Sequence, residues 1–243
     1  MGLAYATAAL EDEWAILNNP AGLASLHEIQ SGFAYHKLPA LPGANRIAGQ
    51  FSIPAGSGAF GAGVFRFGDD LYNEQALSLG YGNRLGIASL GVRLDAIQLR
   101  TEGFATTLSW GLTLGGVAHI TEKFLVGAVV NNLNQPRLPD GEYLPVKMRV
   151  SPTLRPTEKL YVIAEIEKDL AYPPTWKGAI EYQIHKKVFA RTGFNLQPDH
   201  AFWGVGFICW KMKVDYAMQY SRLLNFGHQA SVVLRWPQKK KDA

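Results

Sequence analysis

"FATTLSWGLTLGG", residues 104–116, decides the fold. Phe104, Thr106, Leu108, Trp110, Leu112 and Leu114 share one parity, and Ala105, Thr107, Ser109, Gly111, Thr113 and Gly115 share the other. Successive side chains of a β-strand point to opposite faces, so this stretch predicts a strand with one large apolar face and one small polar face. "KMKVDYAMQYS" (211–221) divides in the same way, with Met212, Val214, Tyr216, Met218 and Tyr220 opposite Lys211, Lys213, Asp215, Gln219 and Ser221. "TWKGAIEYQI" (175–184) sets Trp176, Ile180, Tyr182 and Ile184 against Lys177, Glu181 and Gln183.

Alternation alone fits two architectures. A soluble sandwich turns the apolar face to its core, whereas a transmembrane barrel turns it to lipid and keeps the polar face for the lumen. Three features select the barrel. The polar faces are crowded with Gly, Ser, Ala and Thr, which suits a confined lumen. The apolar faces end in aromatics (Tyr81, Trp110, Trp176, Trp203, Tyr220, Trp236), as interfacial girdles require. The final segment, "HQASVVLRW", also closes on an aromatic.

Composition agrees. Of 243 residues, 47% are hydrophobic and only 18% charged, with 25 Gly, a mixture poor in charge for a water-exposed surface. No apolar run is long enough for a transmembrane helix, so any membrane crossing falls to strands. The net charge of +4 owes much to Lys239, Lys240 and Lys241, a short basic tail that gives no reason to expect nucleic acid. Cys209 is the single cysteine and no Cys/His cluster has ligand spacing, so no metal or other cofactor is expected.

Turn residues divide the chain into fourteen segments, beginning roughly at residues 30, 45, 59, 74, 86, 104, 123, 144, 159, 175, 187, 201, 211 and 227. The connections after even-numbered segments are tight: "AGSG", "GNRLG", "HITEK", "RPTEK", "IHKK" and "CWK". The other set includes the longer "GDDLYNE", "NQPRLPDGEY", "DLAYPPT" and "LLNFGH". Short turns at one end and longer loops at the other is the asymmetry of outer-membrane barrels, with both termini on the periplasmic side. The expectation is an all-β, antiparallel transmembrane barrel over 29–236, preceded by a segment over 1–28 and followed by a basic periplasmic tail over 237–243.

With the polar faces inward, Arg93, Asp95, Lys147, Arg149, Glu165, Glu167, Lys177, Glu181, Arg191, Asp215 and Arg235 enter the lumen. Segments eight, nine and ten then bring Lys147 and Arg149, Glu165 and Glu167, and Lys177 and Glu181 side by side, so opposite charges meet across strands. A barrel of this size is too wide for wall side chains alone to fill, and ion pairs and an inserted segment are the available fillers. No catalytic constellation emerges: the six histidines are scattered, Ser57 lacks a strand-to-helix elbow, and "GVGF" reads as strand. A non-enzymatic protein is expected.

"EDEWAILNNPAGLASLHE" (11–28) reads as a short acidic helix broken at Asn18-Asn19-Pro20. Proline bars the α conformation in the residue before it, and asparagine side chains can bond the freed backbone groups. Together with the preceding "GLAYATAAL", this stretch resembles the N-terminus of FadL-type hydrophobic-compound transporters and of the related PorV/PorQ proteins of the type IX secretion system. The matching positions are Ala8 and Ala9, Glu11 to Glu13, and Asn19, Pro20, Ala21, Gly22 and Leu23; "GLTLGGVAHITEKFLVGAVVNNLN" carries a weaker likeness.

The resemblance implies a fourteen-stranded barrel with its N-terminal segment folded inward as a hatch. Asn18, Asn19, Pro20, Ala21, Gly22 and Leu23 would form the hatch motif, with residues 11–26 inside the barrel. It also implies a bacterial outer-membrane location, with a signal peptide removed and lipid around the barrel. Short outer loops without a long apolar capture segment point toward a PorV-like accessory or scaffold subunit of a secretion or assembly complex, partnered by other outer-membrane or periplasmic subunits. Passive transport of small hydrophobic molecules in the FadL manner is the alternative.

Overall fold

The computed structural model describes residues 1–137, 143–170 and 172–236. The basic tail over 237–243 lies outside them, as does part of "NQPRLPDGEY". Fourteen antiparallel strands close into a barrel in simple sequence order. They are β1 (Ile29–Lys37), β2 (Arg46–Ala55), β3 (Gly58–Gly68), β4 (Tyr72–Leu85), β5 (Ala88–Thr101), β6 (Thr107–His119) and β7 (Phe124–Asn131). β8 (Lys147–Thr157), β9 (Leu160–Asp169), β10 (Thr175–His185), β11 (Val188–Leu196), β12 (His200–Cys209), β13 (Met212–Ser221) and β14 (Asn225–Trp236) complete the wall. β14 pairs with β1 from Ile29–Trp236 to Lys37–His228, so no sheet edge remains.

The strand count matches the sequence expectation, and the largest offsets in starting position are at β6 and β8, which begin at Thr107 and Lys147. Connections 56–57, 86–87, 120–123, 158–159, 186–187 and 210–211 lie at one end, which we call the turn end. Gly56 and Gly86 each take φ +62 in two-residue turns there, a backbone region open to glycine. The opposite, loop end carries 38–45 and 132–146, but also the short 197–199 and 222–224, so the asymmetry is real without being uniform. Both the N-terminal segment's junction with β1 and the end of β14 lie at the turn end.

The apolar parity faces outward. Leu79, Leu94, Leu108, Val205 and Phe207 are all exposed on the barrel exterior. Trp110, Trp176, Trp203 and Tyr220 ring the loop end, while Trp210 and Trp236 stand at the turn end, giving the two aromatic girdles. The core therefore lies within the lumen and is built from the N-terminal segment, whose Leu3, Ala6, Ala15, Ile16 and Leu23 are buried. Ile16, Leu23 and Leu26 cluster with Ala59 of β3, and Leu3 and Ala6 with Ile163 of β9 and Ala179 of β10.

The outward orientation has a measurable consequence. Leu94→Arg, in the middle of the apolar band, is expected to destabilise the barrel in lipid vesicles by about 2–4 kcal/mol. Gln98→Arg, four residues nearer the loop end on the same face of β5, should cost much less. Denaturant unfolding in vesicles checks the order; equal effects would place the lipid band elsewhere.

Candidate functional site

The N-terminal segment enters the lumen as irregular backbone, forms a short helix α1 (Ala15–Asn18), breaks at Asn19, and continues as a 3-10 helix over Pro20–Ser25. A helix this short leaves its final carbonyls unpaired. Two wall arginines take them: Arg93 Nη1 donates to the carbonyls of Ile16 and Leu17 at 2.9 Å each, and Arg149 Nη2 to that of Asn18 at 2.7 Å. Arg93 is itself held by Asp95, which also accepts from Ser78.

Asn19 is fully buried and does two jobs. Its Oδ1 accepts from the Ala21 amide at 3.1 Å, capping the 3-10 helix that begins at Pro20. Its Nδ2 lies within hydrogen-bond distance of the carbonyls of Ala8 (2.5 Å), Gly116 (3.2 Å) and Ala128 (3.3 Å), so it joins the hatch to itself and to β6 and β7. Such an approach needs a bare wall. A Cβ at Gly115 would overlap the Asn19 side chain, and one at Gly127 would overlap the Ala8 carbonyl. The small-residue inner faces are thus the seat of the hatch.

Of the predicted luminal charges, Arg93, Asp95, Glu165 and Lys177 are buried. Lys177 bridges Glu165 (3.0 Å) and Glu167 (2.6 Å) across β9 and β10, and Glu165 Oε2 accepts from the Ala8 amide at 2.8 Å. Arg191 pairs with Glu181 on β10 and with Asp215 on β13, reaching the latter past Gly204 and Gly206 of β12. Arg235 bonds Glu13 of the hatch at 3.3 Å. Lys147 departs from the expected set: as the first residue of β8 it is exposed at the loop-end rim, because alternation fixes a side chain's face but not its depth.

Lys213, His119, Arg155 and Ser25 of this network, and their hatch partners Glu11 and Glu13, escaped the sequence reading as its members. Lys213 binds Glu13 at 2.6 Å, and Glu11 meets His119 at 2.9 Å and Arg155 at 3.7 Å, with Ser25 donating to its other oxygen at 2.6 Å. Only strand parity could have flagged Lys213, since its hatch partner lies 200 residues away. Burial acts to raise the Glu13 carboxyl, but Lys213 and Arg235 outweigh it and hold the group below its ordinary range. Asp12 behaves oppositely: burial and the adjacent Glu13 push it up from 3.8 to about 6.

The hatch does not fill the lumen evenly. Its helices lie against β3, β4, β5 and β6, and a cavity of about 450 Å³ remains beside the segment, walled mainly by β1, β2, β13 and β14, with single side chains from β3 and from β8 to β11. Leu10, Trp14, Leu17 and Phe65 supply apolar lining, with His36 and Arg46 at its loop end. Among the described residues no group of three or more His, Cys, Asp or Glu could hold a metal ion.

The arrangement is a closed fourteen-stranded antiparallel barrel with an N-terminal segment seated in the lumen beside a cavity. No protein-family model matches the chain, and no curated protein sequence is significantly similar to it. Solved structures do share the fold. The TodX monoaromatic hydrocarbon channel deltaS2 mutant superposes with a TM-score of 0.64 at 12% identity, covering 94% of this chain and 95% of that one. The Ralstonia pickettii toluene transporter TbuX gives 0.59 at 14% identity over 91% and 92%, and the Pseudomonas putida toluene transporter TodX 0.59 at 13% over 96% of each.

These neighbours correct the expectation of a PorV-like accessory or scaffold subunit. Structures of hydrocarbon channels and transporters share the architecture, and nothing in the comparison points to a secretion component. The expectation had leaned on short outer loops, whereas the shared fold extends over nearly the whole chain.

Two outcomes follow from the hatch. Asn19→Ala removes the cap and the amide that reaches three carbonyls, and should weaken hatch seating by about 1–3 kcal/mol while the wall still closes. Hydrogen exchange of residues 8–26 reads this directly; unchanged protection would rule out the anchoring role. For Asp12, the folded carboxyl binds its proton more tightly than the unfolded one. Its favourable contribution is therefore present below about pH 3.8 and lost as pH rises through about 6. Asp12→Asn should remove that loss, stabilising the protein at pH 7 relative to wild type but not at pH 4, as followed by thermal unfolding.

Proposed function

We propose that this chain is a passive outer-membrane channel for small hydrophobic molecules. The observation that carries the reading is the cavity beside the hatch, with Leu10, Trp14, Leu17 and Phe65 among its walls, inside a fold shared with the toluene transporters. An apolar solute gains by leaving water for such a lining, since burial of apolar surface is favourable. Passage needs no chemistry and no bound cofactor; it needs the hatch to yield along one side.

The distribution of contacts supports that motion. Arg93, Arg149 and Glu165 hold hatch backbone from β5, β8 and β9, whereas most of the wall facing the void belongs to β1, β2, β13 and β14, with Arg155 of β8 and Tyr161 of β9 at its margin. At the turn end, Lys213 and Arg235 clasp Glu13, and His119 and Arg155 clasp Glu11. Rotation of the Trp14 and Leu17 side chains would widen the cavity without breaking the arginine contacts to the helix carbonyls.

Uptake of radiolabelled toluene by intact cells of a Gram-negative host tests the proposal. Cells producing the protein should accumulate toluene several-fold faster than vector controls. Gly115→Val, which unseats Asn19, should change that rate while leaving a folded barrel. Identical uptake with and without the protein would falsify the channel reading.

A further inference from the structure

The loop end of the cavity holds two side chains that the passage of a hydrocarbon does not use. His36 of β1 is only 4% exposed, and neither of its ring nitrogens has a hydrogen-bond partner. Arg46 of β2 stands directly opposite it across the strand pair, and Gln229 of β14 stands opposite on the other side. All three line the cavity. Buried polar groups are ordinarily paired, so an imidazole with both nitrogens unused marks a place for a ligand's polar atoms.

The charges around the cavity sharpen this. Four arginine and lysine side chains line it, and three are already neutralised: Arg155 by Glu11, Arg191 by Glu181 and Asp215, and Lys213 by Glu13. Arg46 is the fourth, and among the described residues no carboxylate pairs with it. Its guanidinium lies 5.5 Å from the Phe67 ring centre, and beside Tyr5, whose phenol burial raises while Arg46 acts in the opposite sense. An anion entering from the loop end therefore meets an unneutralised cation first and finds the deeper ones taken.

Aromatic surface adjoins this cation. Trp14 and Tyr5 of the hatch and Phe65 of β3 line the same cavity. A guanidinium bonded by the Tyr5 phenol but without a carboxylate partner, a neighbouring imidazole and an amide make a carboxylate receptor, and flat aromatic walls favour a ring over a flexible chain. We propose that this pocket binds a small aromatic carboxylate of the benzoate class, with its carboxylate on Arg46 and His36 and its ring against Trp14 and Phe65.

The inference rests on the channel reading for its access route and deepens it by naming a solute class with a polar handle. Binding and passage are nevertheless separable. Isothermal titration of sodium benzoate into the detergent-purified full chain should show saturable binding at one site. Arg46→Gln should weaken it about ten- to a hundredfold, the range for losing charge-assisted hydrogen bonds, and His36→Leu by less. Arg66→Gln, which removes a half-exposed arginine paired with Asp70, should leave it unchanged.

Methyl benzoate supplies a test that needs no variant. It keeps the ring and loses the charge, so wild-type protein should bind it at least about tenfold more weakly than benzoate. Equal affinity for the acid and its ester, equal benzoate affinity in wild type and folded Arg46→Gln, or no saturable benzoate binding would each overturn the assignment. Benzoate binding without toluene uptake would sink the channel reading alone, and toluene uptake without benzoate binding would sink this inference alone.

Discussion

A closed barrel satisfies the hydrogen bonds of its own wall, but a segment placed inside it brings backbone donors and acceptors that the wall ladder has no room for. Every buried N–H and C=O of the hatch must find a partner among side chains or in its own turns. Asn19 answers much of this requirement by itself. Its amide reaches one hatch carbonyl and two wall carbonyls, and its oxygen caps the helix that follows. Arg93, Arg149 and Glu165 answer the rest of the same demand at Ile16, Leu17, Asn18 and Ala8. The luminal charges are therefore better understood as partners for hatch backbone than as a lacing of wall to wall.

The same demand shapes the wall. Side chains from wall arginines can reach the hatch at a distance, but Asn19 and the Ala8 carbonyl approach so closely that Gly115 and Gly127 must lack a Cβ. Close seating of the helices there leaves the remaining space elsewhere, where β1, β2, β13 and β14 form most of the cavity wall. The void follows from a hatch that is narrower than the lumen and whose helices pack against β3 to β6.

Strand number, the outward face and the aromatic girdles were legible in the sequence because a period of two is a local property that a dozen residues suffice to display. The hatch motif was legible for a related reason: Asn19 and Pro20 fix a break and a cap within a few positions. Depth was not legible, and Lys147 shows why, since its parity is luminal while its place at the start of β8 puts it on the rim. Nor were the clasps of Glu11 and Glu13. His119 lies 108 residues from Glu11 and Arg235 lies 222 from Glu13, and no spacing rule connects residues that only barrel closure brings together.

Loop length misled the functional reading for a physical reason. Short loops exclude a capture site built above the membrane, but a cavity between hatch and wall depends only on the lumen's width and on what the hatch occupies. Neutralisation then divides that cavity. Where hatch carboxylates descend from the turn end, each cation they meet is paired, as Lys213 and Arg235 are with Glu13. Carboxylates from the hatch do not extend to Arg46, because Glu11, Asp12 and Glu13 lie toward the turn end and Glu28 stands at the junction with β1, at that same end. The loop-end mouth is left with a positive charge beside aromatic surface, so the feature that distinguishes one end of the cavity from the other traces back to where three consecutive acids fall in the chain.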